Sequence, residues 1–579
     1  MPSALIIGGN IMKKITFGTP EKLVPTAFCK GFNYTETEVS YPVEHIVFKE
    51  NSRGCVLRLP MDPDEHIYGM GLQLKAFDLQ ARKLTLRPNA DPRTNAGDSH
   101  APVPFFISTK GYGIFVDTAR HAEFYFGSSA LLSVYDDATN TKVMTSEAEL
   151  YETRISNQPN ISIQIPVAKG VDIYIIEGKN ITDIVAQYNM MSGGGCDVPD
   201  WGMSAVYRIY AKYTQDEIVD ICRDMQDSDI TIGTIGLEPG WQTAAYSCTY
   251  EWSPERYPEP ERFLKQMTDM GYHINLWQHA FIRMTSPLYN PMLPYAGDYS
   301  VWAGLVPDFS IPEARTTFAN YHNQFVKMGV DGFKLDECDS SDYTGSWSFP
   351  LLSEFPSGLD GEQYHSLFGV LYMQAILEAL GDVKTMSQVR NAGALSASYP
   401  FVLYSDLTDL HDFVRGNCTA GFSGLLWAPE VRGETNGKES FIKRLQTNVF
   451  SAQCLINAWC CPEIPWYRMD CKKETAYWLG IREQLKPMLV EAFRKYRDEG
   501  VAPVRGVVSD YSNDPKTYEL DDEYLFCENL LVCPVFVDER GRKVYLPEES
   551  RWRNFFTKEP VQSGQFYVET EDILVYERY

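Results

Sequence analysis

The chain has 579 residues, too many for one hydrophobic core, so two to four domains are expected. Its 77 acidic against 52 basic residues leave a net charge of −25, which repels polyphosphates and argues against nucleic acid as a partner. No apolar run reaches the roughly 18 residues of a membrane span, and the opening Met1–Gly9 segment lacks the basic start and apolar length of a secretory signal.

Residues 1–192 alternate apolar and polar at period two between turn residues, as in Val56-Leu57-Arg58-Leu59, Gly113-Ile114-Phe115-Val116 and Ile161-Ser162-Ile163-Gln164-Ile165. This pattern predicts an N-terminal β-sandwich. The run Ser192-Gly193-Gly194-Gly195 reads as a flexible linker and domain boundary. From Val198-Pro199-Asp200-Trp201-Gly202 onward, short apolar strands alternate with helices. Thr214 and Glu217 form a capping-box pair opening a helix with Ile218, Ile221 and Met225 on one side. A strand over 230–237 follows, then a helix around 259–270, a strand over 272–277, and a helix over 311–328. Repeated units of this kind predict an α/β architecture, a (β/α)8 barrel over residues 193–490. Strands return over 491–579, in Leu525-Phe526-Cys527, Leu530-Leu531-Val532-Cys533 and Lys543-Val544-Tyr545-Leu546, and predict a C-terminal β-sandwich domain.

The thirteen Cys have no scaffold-like spacing, Cys460 and Cys461 are adjacent, and no Cys-x-x-Cys pair exists. Reduced thiols in a cytoplasmic protein fit this pattern. The nine His show no His-x-x-x-His pairing, and Asp336–Asp342 lacks the glycine and terminal Glu of a calcium loop, so neither a metal nor a cofactor is expected.

The chemistry concentrates after the short apolar stretch Gly332-Phe333-Lys334-Leu335, which ends in Asp336 and is followed by Glu337, Asp339 and Asp342. A carboxylate at the C-terminal tip of a barrel strand is where barrel enzymes hold catalytic groups, although a solvated acidic loop reads the same way. By period-two parity Lys334 and Asp336 both face the barrel interior, where a lysine needs an acid partner.

The segment resembles the nucleophile motif of glycoside hydrolase family 31, Gly-Phe-Lys-Leu/Phe-Asp. Ile67-Tyr68-Gly69-Met70-Gly71 and Pro104-Phe105-Phe106-Ile107-Ser108 resemble that family's N-terminal domain, and the strands after residue 490 resemble its C-terminal β-domain. The resemblance implies a retaining, exo-acting α-glycosidase with Asp336 as nucleophile and a small α-linked oligosaccharide or glycoside as its partner. Phe401-Val402-Leu403-Tyr404-Ser405-Asp406 lies where the family places its acid/base, with Gly-Asp-Asn replaced by Ser405-Asp406-Leu407-Thr408-Asp409. Asp406 is therefore the acid/base, with Asp409 and Asp412 as rivals that could instead cap a helix. Arg390, in Ser387-Gln388-Val389-Arg390, matches a substrate-contacting Arg. Trp277 and His279 end the strand that reads Leu-Trp-x-x-Pro in relatives. Trp427, Glu430 and Arg432 stand in the segment replacing Gly-x-Asp-Ile-Gly-Gly, as subsite residues or an ion pair.

Two departures bear on the sugar. Glu238-Pro239-Gly240-Trp241 replaces the Asp-x-Asp that binds the 4- and 6-hydroxyls in glucosidases, and Asn457 stands where a His is usual. With Glu238, Trp241, Lys334 and Asn457 as substrate ligands, the expectation leans to α-galactosides, with α-glucosides or α-xylosides as the alternative. A catalytically inactive carbohydrate-binding protein is the alternative from another class. Transglycosylation and oligomeric state stay open.

Overall fold

The computed structural model describes residues 11–92, 94–128, 159–342, 345, 347–406 and 409–579; the Met1–Gly9 segment and the Leu407-Thr408 pair lie outside these. Two five-stranded antiparallel sheets come first. Their alternation is the one read from the sequence: Cys55, Leu57 and Leu59 are buried while Val56, Arg58 and Pro60 are only partly so. These residues pack with Phe106, Ile114, Ile161, Ile163 and Ile165 into one core between the sheets.

The helix Ile181–Met191, capped by the Asn180 side chain on Asp183 N (2.8 Å), wedges the sandwich against the next layer. Its Tyr188 ring stacks on Phe105 at 4.1 Å. The Gly-rich run that follows is not a loose linker. Gly193 and Gly194 adopt φ of 102° and 90°, their N–H groups bond Met190 O and Asn189 O, and Gly195 N bonds Tyr496 O at 3.0 Å. A Cβ at Gly195 would stand 2.4 Å from the Tyr496 ring, so the glycines serve close packing.

The central layer is an eight-stranded parallel barrel: β1 Val206–Arg208, β2 Thr234–Leu237, β3 His273–His279, β4 Gly332–Asp336, β5 Ser387–Val389, β6 Phe401–Leu403, β7 Glu430–Arg432 and β8 Leu455–Asn457. Each pairs with its chain neighbour except β6 with β7, which end the sheet, and β8 pairs with β1. Leu403 closes the ring by donating to Leu426 O (2.8 Å) and accepting from Ala428 N (2.9 Å). The outer helices are α1 Gln215–Asp227, α2 Pro260–Asp269, α3 Pro312–Lys327, α4 Gly361–Leu380, α5 Leu410–Thr419, α6 Lys438–Val449 and α7 Lys472–Glu499. α1 starts at the Thr214/Glu217 capping box. No helix joins β5 to β6, a departure from the regular eightfold pattern, because residues 390–400 run directly between them.

After β3 a hairpin, Ala296–Val301 with Gly304–Pro307, rises at the mouth. Trp302 and Ala303 form its two-residue turn with φ of 49° and 56°, the double left-handed geometry that matches strand twist. The C-terminal unit pairs a six-stranded with a two-stranded sheet around Val507, Leu525, Leu531, Val544 and Trp552. All thirteen cysteines are free, and among the described residues no helix is long and apolar enough to cross a membrane.

Candidate active site

Barrel strands turn alternate side chains inward, and at the C-terminal ends of β1 to β8 those positions are polar and buried. The deeper layer is an ion-pair network. Arg208 bonds Glu238, Asn275 Oδ1 (2.7 Å) and Gln388 Oε1 (3.3 Å). Lys334 Nζ stands 3.5 Å from Glu238 and 3.6 Å from Glu430, so the interior lysine finds two acids, and it lies over the Tyr404 ring at 4.4 Å. Glu430 also accepts from Asn457 Nδ2 (2.8 Å) and Arg432 Nη1 (3.1 Å). Burial holds the Glu430 carboxyl above its usual range despite Lys334 and Arg432.

Asp336 sits above this layer at the tip of β4 and is 7 % exposed. Its Oδ2 accepts the Trp277 indole N–H at 2.6 Å, and its Oδ1 takes Glu337 N at 3.0 Å and Arg390 Nη1 at 3.3 Å. Burial alone would raise this carboxyl, but Arg390 and Lys334 outweigh it and hold the group below the ordinary carboxylate range. The ionised form of Asp336 is thereby favoured.

The same Arg390 nitrogen donates to Asp406 Oδ2 at 2.6 Å, so the two carboxylates face each other across one guanidinium within about 6 Å. Asp406 is also held by Arg432 Nη1 at 2.6 Å, and 53 % of its side chain is exposed. Partial desolvation favours its protonated form, yet Arg390 and Arg432 together keep it well below the usual range. The rivals are occupied elsewhere. Asp409 caps α5 by accepting from Asp412 N at 3.1 Å. Asp412, buried, pairs with Lys75 of the sandwich and with Arg415.

Arg390 is fixed in turn by Asp339, whose Oδ2 accepts Arg390 Nε at 3.0 Å and meets His100 Nδ1 at 2.7 Å. His100 comes from the N-terminal domain and reaches Ser405 Oγ with its other nitrogen (2.7 Å). The same domain clamps the acidic loop through Arg87 to Asp342 (2.7 Å) and Ala90 N to Ser340 O (2.9 Å).

One wall of the mouth is aromatic. Tyr246, 46 % exposed, packs on Trp277, His279 and Trp302, and Trp302 stacks on Trp347. His279 accepts Phe281 N on Nδ1 (3.1 Å), and burial pushes its pKa down to about 3, so it is neutral with the proton on Nε2. Among the described residues, Glu337 Oε2, Asp339 Oδ1 and Trp347 Nε1 have no hydrogen-bond partner. Unpaired buried polar atoms are rare, and those at this mouth leave hydrogen-bonding capacity that a polar ligand could complete.

Of the residues picked from the sequence, Asp336, Asp406, Lys334, Arg390, Glu430, Trp277, His279 and Asn457 do converge on the barrel mouth and interior. Trp241 and Trp427 do not open onto it. Trp241 is fully buried, gives its indole N–H to Trp277 O (2.6 Å) and packs on Trp252 and Phe325; Trp427 donates to Phe413 O in α5 (3.3 Å). Glu238 is deep and spent on Arg208 and Lys334, and both ends of the Asn457 amide are used. Sequence reasoning missed Arg208, His100, Tyr246, Trp302 and Trp347, and named Asp339 as one of the acids after Asp336 without a role. Only Arg208, a cation ending the buried run Val206-Tyr207, carried a local signal. Glu434, Cys460 and Cys461 bring potential ligand atoms within 4.8 Å of one another, with Glu434 already bonded to Arg432.

Comparison with known proteins agrees with this architecture. Residues 197–492 match the glycosyl hydrolases family 31 TIM-barrel domain, 500–579 its C-terminal domain, and 31–124 its N-terminal galactose mutarotase-like domain. An α-xylosidase of Emericella nidulans is 23 % identical over 558 residues, covering 90 % of this chain and 67 % of its own. An α-glucosidase of Saccharolobus solfataricus is 23 % identical over 602 residues, covering 90 % and 80 %. A family 31 dextranase of Flavobacterium johnsoniae, solved in complex with glucose, superposes with a TM-score of 0.79 at 19 % identity, covering 92 % of this chain and 67 % of that one. The chain thus spans about two thirds of the length of the xylosidase and the dextranase. With three domain models matched in order around a barrel whose mouth holds paired carboxylates, the chain belongs to glycosyl hydrolase family 31.

Proposed function

We propose that the chain is a retaining, exo-acting α-glycosidase that removes a terminal, uncharged α-linked sugar of xylo or gluco configuration from a small oligosaccharide or glycoside. The observation that carries this reading is the sharing of one Arg390 nitrogen by Asp336 and Asp406, which keeps their bonded oxygens within about 6 Å and is compatible with the roughly 5–5.5 Å of retaining enzymes. In this reading Asp336 attacks the anomeric carbon and Asp406 protonates the leaving oxygen. A glycosyl ester on Asp336 forms, and water activated by Asp406 hydrolyses it. The sugar lies against the Tyr246–Trp302 wall, with Trp277 and Arg390 holding the nucleophile's oxygens. Because Asp406 starts as a carboxylate between two guanidinium groups, substrate must loosen Arg432 before Asp406 can carry a proton.

The galactoside expectation is not carried forward. It rested on the lost Asp-x-Asp and on Asn457 in place of a His, with Glu238 and Trp241 as new sugar ligands; those two are committed inside the barrel wall and the Asn457 amide is spent on Glu430 and Trp459 N. The named relatives act on xylosides and glucosides.

The test is turnover of 4-nitrophenyl α-xyloside, α-glucoside and α-galactoside, with proton NMR of the first product. The α-anomer should appear first from the xyloside or glucoside. The Asp336→Asn protein, still folded, should lose at least about a thousandfold in rate, corresponding to about 4 kcal/mol. First release of the β-anomer, or near-normal turnover by that variant, would overturn the reading.

A further inference from the structure

We propose that Glu337 is a substrate-binding and specificity-determining residue of the same pocket, whose carboxyl hydrogen-bonds a ring hydroxyl of the bound sugar. The inference rests on the glycosidase reading above and adds a contact that the nucleophile motif does not contain.

Three observations converge. First, Glu337 has φ +58°, a left-handed conformation that costs a non-glycine residue energy and that clusters at ligand sites. It breaks the alternation of β4 immediately after Asp336, so the side chain does not simply continue toward the outer helices. Second, the residue is 8 % exposed, yet among the described residues its Oε2 has no hydrogen-bond partner. A buried carboxyl oxygen left bare is costly unless a ligand completes it. Third, its surroundings are those of the pocket. The charged and titratable groups acting on it are Asp336 at the tip of β4, Asp339 of its own loop, Arg390 after β5 and Asp406 after β6, and Tyr246 of the aromatic wall lies close enough to feel it in turn.

The neighbouring donors also assign the proton. Trp277 Nε1 and the Glu337 backbone N–H are spent on Asp336, and Arg390 Nη1 is shared between Asp336 and Asp406. Two adjacent buried carboxyls cannot both ionise cheaply, so Asp336 takes the charge and Glu337 keeps the proton. Burial and the Asp336 charge push Glu337 well above its ordinary range. A neutral carboxyl both donates and accepts, which suits a hydroxyl, whereas a second carboxylate beside the nucleophile would repel the electron-rich substituents of the ring.

The experiment uses the full chain with Glu337→Ala and Glu337→Gln. NMR titration gives dissociation constants for D-xylose, D-glucose and the monodeoxy-D-glucoses, alongside kcat/KM on the 4-nitrophenyl α-glycosides. Glu337→Ala should weaken the sugar by about tenfold to a hundredfold, and one deoxy position that penalises the wild-type protein should cease to do so. Glu337→Gln, which keeps a donor and an acceptor, should bind within about fivefold of wild type and retain the deoxy penalty. If Glu337→Ala keeps every deoxy penalty, or Glu337→Gln loses turnover as completely as Asp336→Asn, the assignment is overturned. Should Glu337→Ala not fold, the Gln variant alone decides on the same two readouts. Failure of the glycosidase reading shows differently, as sugar binding without turnover of any α-glycoside.

Discussion

Arg432 Nη1 donates to Asp406 Oδ1 at 2.6 Å. This contact links the proposed acid/base to the segment Glu430-Val431-Arg432, the seventh barrel strand. A guanidinium so placed favours the ionised carboxylate, which suits the deglycosylation step, when Asp406 must take a proton from water. It opposes the first step, when Asp406 must hold one. Arg432 has two other acids, Glu430 and Glu434, to turn to when substrate displaces it.

Arg432→Met should therefore change the pH dependence of the first step. Arg432 lowers the Asp406 pKa, so its removal raises it, and the protonated acid persists to higher pH. The alkaline limb of kcat/KM on a poor leaving group should move upward by about 1–3 pH units. A pH profile on a natural disaccharide measures it; an unmoved or downward-shifted limb would show that Arg432 does not tune the acid.

The choice among the three aspartates rests on leaving-group chemistry. Asp406→Ala should cripple hydrolysis of disaccharides, spare the first step on dinitrophenyl glycosides, and be rescued by azide. Asp409→Ala should lose only its cap, about 1 kcal/mol of stability in a denaturant melt, with activity retained. Azide rescue of Asp409→Ala instead would move the acid by three residues.

Why some of this was legible in sequence and some was not follows from the range of the interactions. Asp336 is placed by five consecutive residues of one strand, and α1 by the Thr214–Glu217 pair, so both are local signals. The barrel follows from repeating strand–helix periods, but the direct β5–β6 passage breaks that repeat without a distinctive composition. The strand over 230–237 pairs only from Thr234, because Asp229 turns through φ 56° and Ile230–Gly233 are used in reaching the sheet. The Asp339–His100 contact joins residues 239 positions apart in different domains, which no spacing rule reveals. The error over Glu238 and Trp241 has the same origin. A residue type at a strand tip indicates what it can bind, but Arg208 and the Trp277 carbonyl had already claimed both.

Trp277 offers a more local test. Its indole N–H is a direct donor to Asp336 Oδ2, and a hydrogen bond to a charged group is worth about 1.5–3 kcal/mol. Trp277→Phe keeps the ring and removes that donor, so kcat/KM should fall by about tenfold to a hundredfold. Since the bond favours the ionised form, its loss should raise the Asp336 pKa and move the acid limb of the pH profile to higher pH. A pH-independent loss would assign Trp277 to packing against the sugar alone.

The charge inventory around the pocket predicts what the enzyme refuses. Asp336, Asp339, Asp406, Glu430 and Glu434 face three cations, Lys334, Arg390 and Arg432, each already bonded to or beside at least two of those acids or Glu238. An anionic sugar entering this site would find every neighbouring guanidinium engaged and would be desolvated beside surplus carboxylates. Uronic-acid and sulfonated α-glycosides should therefore be turned over at least about a hundredfold more slowly than the uncharged xyloside or glucoside, a difference of about 2.7 kcal/mol in transition-state binding. Comparing kcat/KM for 4-nitrophenyl α-glucuronide and α-glucoside, with the salt dependence of each, settles the matter. Preference for the glucuronide would mean that Arg432 leaves its acids to meet the substrate's own charge, and that the resting ion pairs are a latch the anion opens.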